Sequence, residues 1–216
     1  GQISDDQRQE FILLSDTLGV SMLVDLITQH KPDGATETTV LGPFYVADAP
    51  EVEPGGNIDR AGTGVPLLFS GRVLDEAGAP IEGAALDIWQ ASSEGLYDVQ
   101  DAAQPEYNLR GVLRSDADGR YTFRTSHPHS YPIPSDGPVG RMLRATARDT
   151  YRPAHIHFII TADGFEPLTT HVFDADDPVL DNDAVFAVKP SLTCRLKRHD
   201  LMDGAPAGVE APYYTG

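Results

Sequence analysis

The segment Arg152-Pro-Ala-His155-Ile156-His157-Phe158 sets two imidazoles at alternate positions between large apolar residues that run on into Ile159 and Ile160. Period two is the strand signature, so His155 and His157 face one side of a sheet while Ile156 and Phe158 pack into the other. Residues two apart on a strand stand about 7 Å from one another, and imidazoles that lean together across that gap can converge on one metal ion. A pair of surface histidines on a half-buried strand gives the same pattern.

Two histidines alone underligate a metal, so the question is what completes the set. Two tyrosines occupy Gly- and Pro-rich loops: Tyr97 in Glu94-Gly-Leu-Tyr-Asp98, and Tyr131 in Ser130-Tyr-Pro-Ile-Pro-Ser-Asp-Gly-Pro138. A loop tyrosine is most often a packing residue with its hydroxyl in water. As a phenolate it is a hard oxygen ligand, which an acidic Fe(III) ion selects and which Zn(II) or Cu(I) does not. A zinc-dependent hydrolytic or cupin-like site would instead need a further His or carboxylate, and a metal-free sandwich that acts as a binding module needs neither. Colour separates the three, because a ferric phenolate absorbs visible light and the others do not.

These side chains must be positioned by the rest of the chain, and its texture changes near residue 32. Ser4-Asp-Asp-Gln7 reads as a capping box. The apolar run from Phe11 to Ile27, ended by Lys31-Pro32, predicts one long helix over about residues 5 to 29. It is apolar on more than one stripe, so a single sandwich face would not cover it, and it predicts association. Asp16 lies inside that apolar run. Residues 1–32 are accordingly expected to form a helical segment, either covered by another subunit or the end of a larger helical domain, and residues 33–216 an antiparallel β-sandwich. Strands are expected at Leu67–Leu74 and, returning after the turn at 75–80, at Ala85–Gln90. A hairpin is expected at Asp116-Ala-Asp-Gly119, and further strands at His155–Thr161 and Thr169–Phe173. The acidic stretch from Asp174 to Asp183 reads as a solvated loop.

Composition narrows the partners. The 216 residues carry 33 acidic and 16 basic side chains, a net charge of −17, which opposes binding to nucleic acid or anionic lipid surfaces. An apolar fraction of 40% supplies a core for a soluble globular fold. The lone Cys194 excludes an intrachain disulfide framework and is consistent with a reducing compartment. With neither an export signal nor a membrane span read in the sequence, the expected location is cytoplasmic.

Taken together, Trp89-Gln-Ala-Ser-Ser-Glu-Gly-Leu-Tyr97, Tyr131 with its Pro and Gly-Pro surroundings, and Arg152-Pro-Ala-His-Ile-His-Phe158 resemble, in order and spacing, the non-haem Fe(III) intradiol ring-cleaving dioxygenases. Ala35-Thr-Glu-Thr38 followed by Val40-Leu-Gly-Pro-Phe-Tyr45 is similar to the catechol and hydroxyquinol 1,2-dioxygenase branch. The resemblance runs from about residue 8 to 197. It implies that Tyr97, Tyr131, His155 and His157 hold one iron per chain, with Tyr131 as the ligand that substrate displaces, and that Arg152 stands beside the substrate. It implies that Leu13, Asp16, Leu41, Gly42, Pro43, Phe44, Ile133, Pro134 and Val185 line the pocket. It also implies a homodimer through N-terminal helices and a phospholipid site in that helical domain, where the full domain is present.

Leu41-Gly-Pro-Phe-Tyr45, Gly-Leu-Tyr-Asp-Val-Gln100, and His171 where catechol enzymes tend to carry glutamine, all resemble the hydroxyquinol branch. A carboxylate at Asp16 could accept a hydrogen bond from a third ring hydroxyl, and would be left unpaired by plain catechol. The expected reaction is therefore cleavage of 1,2,4-trihydroxybenzene by O2 to a maleylacetate-type product. Catechol or chlorocatechol cleavage to a muconate is the alternative.

Overall fold

The computed structural model describes residues 3–4, 9–201 and 205–216. Most of the predicted capping box, Asp5 to Gln7, lies outside the described residues. Two sheets pack as a sandwich. One has four strands in the order β10-β11-β1-β4: Lys197–His199, Tyr213–Thr215, Pro66–Arg72 and Arg120–Ser126. The other has five in the order β3-β2-β7-β8-β9: Arg110–Arg114, Ala85–Trp89, His155–Thr161, Leu168–Asp174 and Thr193–Cys194. Most pairings are antiparallel; β1 with β11 and β8 with β9 are short parallel pairs. A small ribbon joins β5 (Tyr131–Pro132) to β6 (Tyr151–Arg152).

Between the sheets lies a core of Leu67, Phe69, Leu86, Ile88, Leu113, Phe123, Ile156 and Phe158. Alternation along β7 therefore sends Ile156 and Phe158 inward and turns His155 and His157 onto the outer face of the five-stranded sheet. That face is not solvated: all four residues are buried. Helices and loops cover it, with Met22, Val40, Val185 and Leu192 packed on Phe173 of β8.

The two predicted hairpins take a different form. β1 pairs with β4 and β2 pairs with β3, so the turns at 75–80 and 116–119 each carry the chain from one sheet to the other. Turn residues announce a change of direction but not the sheet in which the next strand lands.

The predicted long helix is two short ones, α1 (Glu10–Thr17) and α2 (Val20–Thr28), bent by 72°. Gly19 causes the break. It takes φ +74°, a conformation that glycine adopts without strain, and its N–H donates to the Asp16 carbonyl to close α1. The apolar run continues through the break, which is why periodicity did not reveal it. Among the described residues no single helix is long and apolar enough to cross a membrane.

A third helix, α3 (Pro138–Ala145), has no side-chain cap of its own. Glu10 of α1 supplies one from a distance, its Oε1 accepting from the Val139 N–H at 3.0 Å. Leu13, Ile133, Val139, Leu143 and Ala184 pack together beneath this contact, which fixes α1 and hence Asp16 over the outer face.

Candidate metal centre and active site

His155 and His157 come from one strand, and their supports differ. The His155 Nδ1–H donates to the Pro153 carbonyl at 2.6 Å, so its Nε2 presents a lone pair. The two Nε2 atoms lie 3.1 Å apart. His157 Nε2 is also 3.1 Å from the Tyr97 hydroxyl, which is 3.0 Å from the Tyr131 hydroxyl. The four donors thus form a chain of close contacts on side chains no more than 4% exposed. Ligands at right angles around an ion with bonds of about 2.1 Å would stand about 3 Å apart, so this spacing fits a shared metal.

Electrostatics point the same way. Burial holds both imidazoles well below the ordinary histidine value, so they are neutral donors. Burial, reinforced by the neighbouring Tyr131, raises the Tyr97 phenol well above its usual value. Burial raises Tyr131 as well. Two phenols this reluctant to ionise become oxygen ligands only when a strongly acidic cation takes the place of their protons.

Each donor has an identifiable support. Tyr131 is held by the β5–β6 ribbon directly opposite Arg152. Gly95, at φ +75°, lets the Tyr97 loop pass Tyr131, because a Cβ there would sit 2.6 Å from the Tyr131 Cβ. Phe44 stacks on Tyr97 at 4.6 Å, and Gly42, at φ +78°, brings its backbone against His157, where a Cβ would stand 3.4 Å from Cε1. Trp89 stacks nearly parallel on His157, with ring centroids 4.6 Å apart.

Arg152 is buried, not a surface residue. Its Nε donates to Asp183 at 3.3 Å and its Nη1 lies 3.2 Å from His155 Nε2. Its Nη2 has no hydrogen-bond partner among the described residues. A buried guanidinium with a free N–H beside the donor cluster is suited to stabilise a substrate anion. Asp183 also accepts from the Val185 and Ala187 N–H groups, so one carboxylate holds both Arg152 and the turn that presents Val185. This corrects the reading of 174–183 as a wholly solvated loop: both of its end residues are buried and hydrogen-bonded.

Asp16 is 4% exposed. Burial raises its carboxyl above the usual value, opposed by a hydrogen bond from Ser21 and by the charge of Arg152, so it lies within the field of the Arg152–Asp183 pair. Leu13 and Ile133 pack together, Pro43 and Pro134 are half-buried in the flanking loops, and Leu41 is exposed at the rim. Arg148 bridges the groups by donating to the carbonyls of Thr17 and Ala184.

A family profile described as dioxygenase matches residues 40–211, and one described as catechol dioxygenase N terminus matches residues 1–36. The chain belongs to the intradiol dioxygenases. This dioxygenase is 57% identical over 199 residues to the hydroxyquinol 1,2-dioxygenase of Rhizobium sp. (strain MTP-10005), covering 92% of this chain and 68% of that protein. It is 52% identical over 192 residues to the 6-chlorohydroxyquinol 1,2-dioxygenase of Cupriavidus pinatubonensis, covering 89% and 70%. The crystal structure of hydroxyquinol 1,2-dioxygenase from Pseudomonas putida DLL-E4 superposes with a TM-score of 0.92 at 51% identity, over all of this chain and 76% of that one. The family uses non-haem iron, and the donors of this dioxygenase suit it.

Of the remaining histidines, His127 and His129 border a separate groove of about 800 Å³ with Asp174, Asp177, Arg195 and Tyr214. His171 does reach the site. It is fully buried, its ring 4.0 Å from that of His157 at 82°. Pattern reading did not single out Arg110, Asp98 or Asp183 for this site. Its one available signal was position, since Asp98 directly follows Tyr97.

Proposed function

We propose that this dioxygenase cleaves hydroxyquinol (1,2,4-trihydroxybenzene) with O2 between the two vicinal hydroxyl-bearing carbons, giving 3-hydroxymuconate, the enol form of maleylacetate. The observation that carries the reading is the close chain of donors His155, His157, Tyr97 and Tyr131, with Arg152 on one side and the buried Asp16 carboxyl in its field. Both atoms of O2 enter the product, so no nicotinamide, flavin or external reductant is required.

In this reading those four residues would hold one ferric ion, which would supply Lewis acidity to the site. Tyr131 Oη accepts one of the protons the diol gives up. Arg152, permanently charged, stabilises the negative charge that develops on the ring. Leu13, Phe44, Ile133 and Val185 give apolar walls to a flat substrate, while Leu41, Gly42, Pro43 and Pro134 shape its entrance. Asp16 accepts the hydrogen bond of the third hydroxyl.

His155, His157 and His171 also place one nitrogen each within 4.8 Å of one another, the beginnings of a three-imidazole site. The tyrosine-containing set is favoured because its members are in direct contact at 3.0–3.1 Å, and because a three-histidine metal would leave two buried phenols unused.

The substrate is tested by kcat/KM on hydroxyquinol and catechol. The parent is expected to prefer hydroxyquinol, and Asp16→Ala to narrow that preference by about tenfold or more, the cost of an unmatched buried acceptor. A parent that prefers catechol overturns the substrate. An unchanged ratio in the variant overturns the role of Asp16.

A further inference from the structure

Along one rung of the five-stranded sheet, Arg110 of β3 lies opposite Trp89 of β2, Trp89 opposite His157 of β7, and His157 opposite His171 of β8. All four side chains are at most 2% exposed. Each carries a buried nitrogen without a hydrogen-bond partner among the described residues, an uncommon concentration in one line of a fold. Trp89 and His171 bear on His157 directly. Arg110, at the far end, touches something else.

We infer that Arg110 is the positioning residue for Tyr97, tying this ligand to the rung that carries His157. The inference rests on the proposed iron ligand set. His155 and His157 are fixed by the β7 ladder, and Tyr131 by the β5–β6 ribbon. Tyr97 lies on no strand; its backbone N–H is satisfied locally, by the Gln100 side chain at 3.0 Å. What joins its loop to the sheet is the next residue: Asp98 Oδ1 accepts from Arg110 Nε at 2.8 Å and pairs with Nη2 at 2.7 Å. The same guanidinium lies over the Tyr97 ring, 5.8 Å from its centroid. Arg110 therefore holds the loop by its carboxylate and the phenol by its face.

Stability alone does not account for the pair. Buried ion pairs are matched or bettered by apolar residues of equal volume, whereas a planar guanidinium fork fixes direction. Direction is what a phenol must have if its oxygen is to stand 3.1 Å from the His157 Nε2 and 3.0 Å from the Tyr131 hydroxyl.

The test uses the 216-residue chain loaded with Fe(III), comparing parent, Arg110→Met, Arg110→Lys, Asp98→Asn and Tyr97→Phe. Three quantities are read: the visible phenolate-to-iron charge-transfer band, Fe(III) affinity by chelator competition, and thermal unfolding of the metal-free protein. Arg110→Met is expected to shift and weaken the band and to lower affinity by about 10–100-fold, as loss of a ligand's support does. Arg110→Lys should be intermediate, Asp98→Asn should follow Arg110→Met, and KM for hydroxyquinol should hold while kcat falls. A folded Arg110→Met protein with the parental band and affinity overturns the inference. Should that variant not fold, Arg110→Lys and Asp98→Asn carry the same two outcomes. A band that survives unchanged in Tyr97→Phe overturns the ligand set itself, which separates the two failures.

Discussion

Asp174 and Asp183 do different work at the two ends of one acidic stretch. Asp183 orients Arg152, while Asp174 accepts from His127 Nε2 at 3.1 Å. Burial pushes the Asp174 carboxyl up, but the hydrogen bonds from His127 and the Asp176 N–H outweigh it and hold the group below its ordinary 3.8. A carboxylate with a depressed folded value contributes stability above its unfolded value and loses it as pH falls through the folded one. Urea unfolding from neutral pH downward should therefore show Asp174→Asn less stable than the parent at pH 7, with the gap closing below pH 3.8. A gap that does not change with pH would mean that the carboxylate charge is immaterial. At this scale the imidazoles were legible because strand alternation is a local property, and the tyrosines because their loops resemble a known set. Asp183 and Arg110 were not, since a carboxylate in an acidic run and an arginine in a strand look solvated until the register that buries them is known.

Among elements, the contact between α1 and α3 is the one on which the pocket depends. Glu10 caps a helix more than a hundred residues away in sequence, and Leu13 and Asp16 follow it on the same α1. Glu10→Ala should cost roughly 1 kcal/mol in urea unfolding, the usual cost of a lost helix cap, while Glu10→Gln, which keeps an acceptor oxygen, should retain most of it. Equal losses in both variants would show that charge, and not the cap, is what matters. Strand positions were readable from alternation, and the β7–β8 pair matches its expected limits closely. The crossings at 75–80 and 116–119 and the break at Gly19 were not, because partner choice is decided by burial across the whole sandwich, and apolar periodicity passes through a glycine unmarked.

For the whole molecule, the surface of α1 and α2 stands out. Phe11, Ile12, Leu18, Val20, Leu23, Val24, Leu26 and Ile27 are between 43% and 71% exposed, beside a chain whose net charge of −17 otherwise favours separation. Sedimentation velocity should show the 216-residue chain associating with concentration, and Leu23→Glu/Ile27→Glu should shift it toward single chains. A parent that stays a single chain at every concentration would contradict this. That face was visible in the sequence as a helix apolar on too many sides. The register of β7 reaches further still. A slip of one residue would exchange His155 and His157 for Ile156 and Phe158 on the outer face, breaking the core and emptying the donor cluster together. A misregistered chain could therefore not persist as a stable but inactive species: the contacts that make the molecule durable are the ones that aim its imidazoles, so the colour of the iron-loaded protein would report on correct folding as directly as on chemistry.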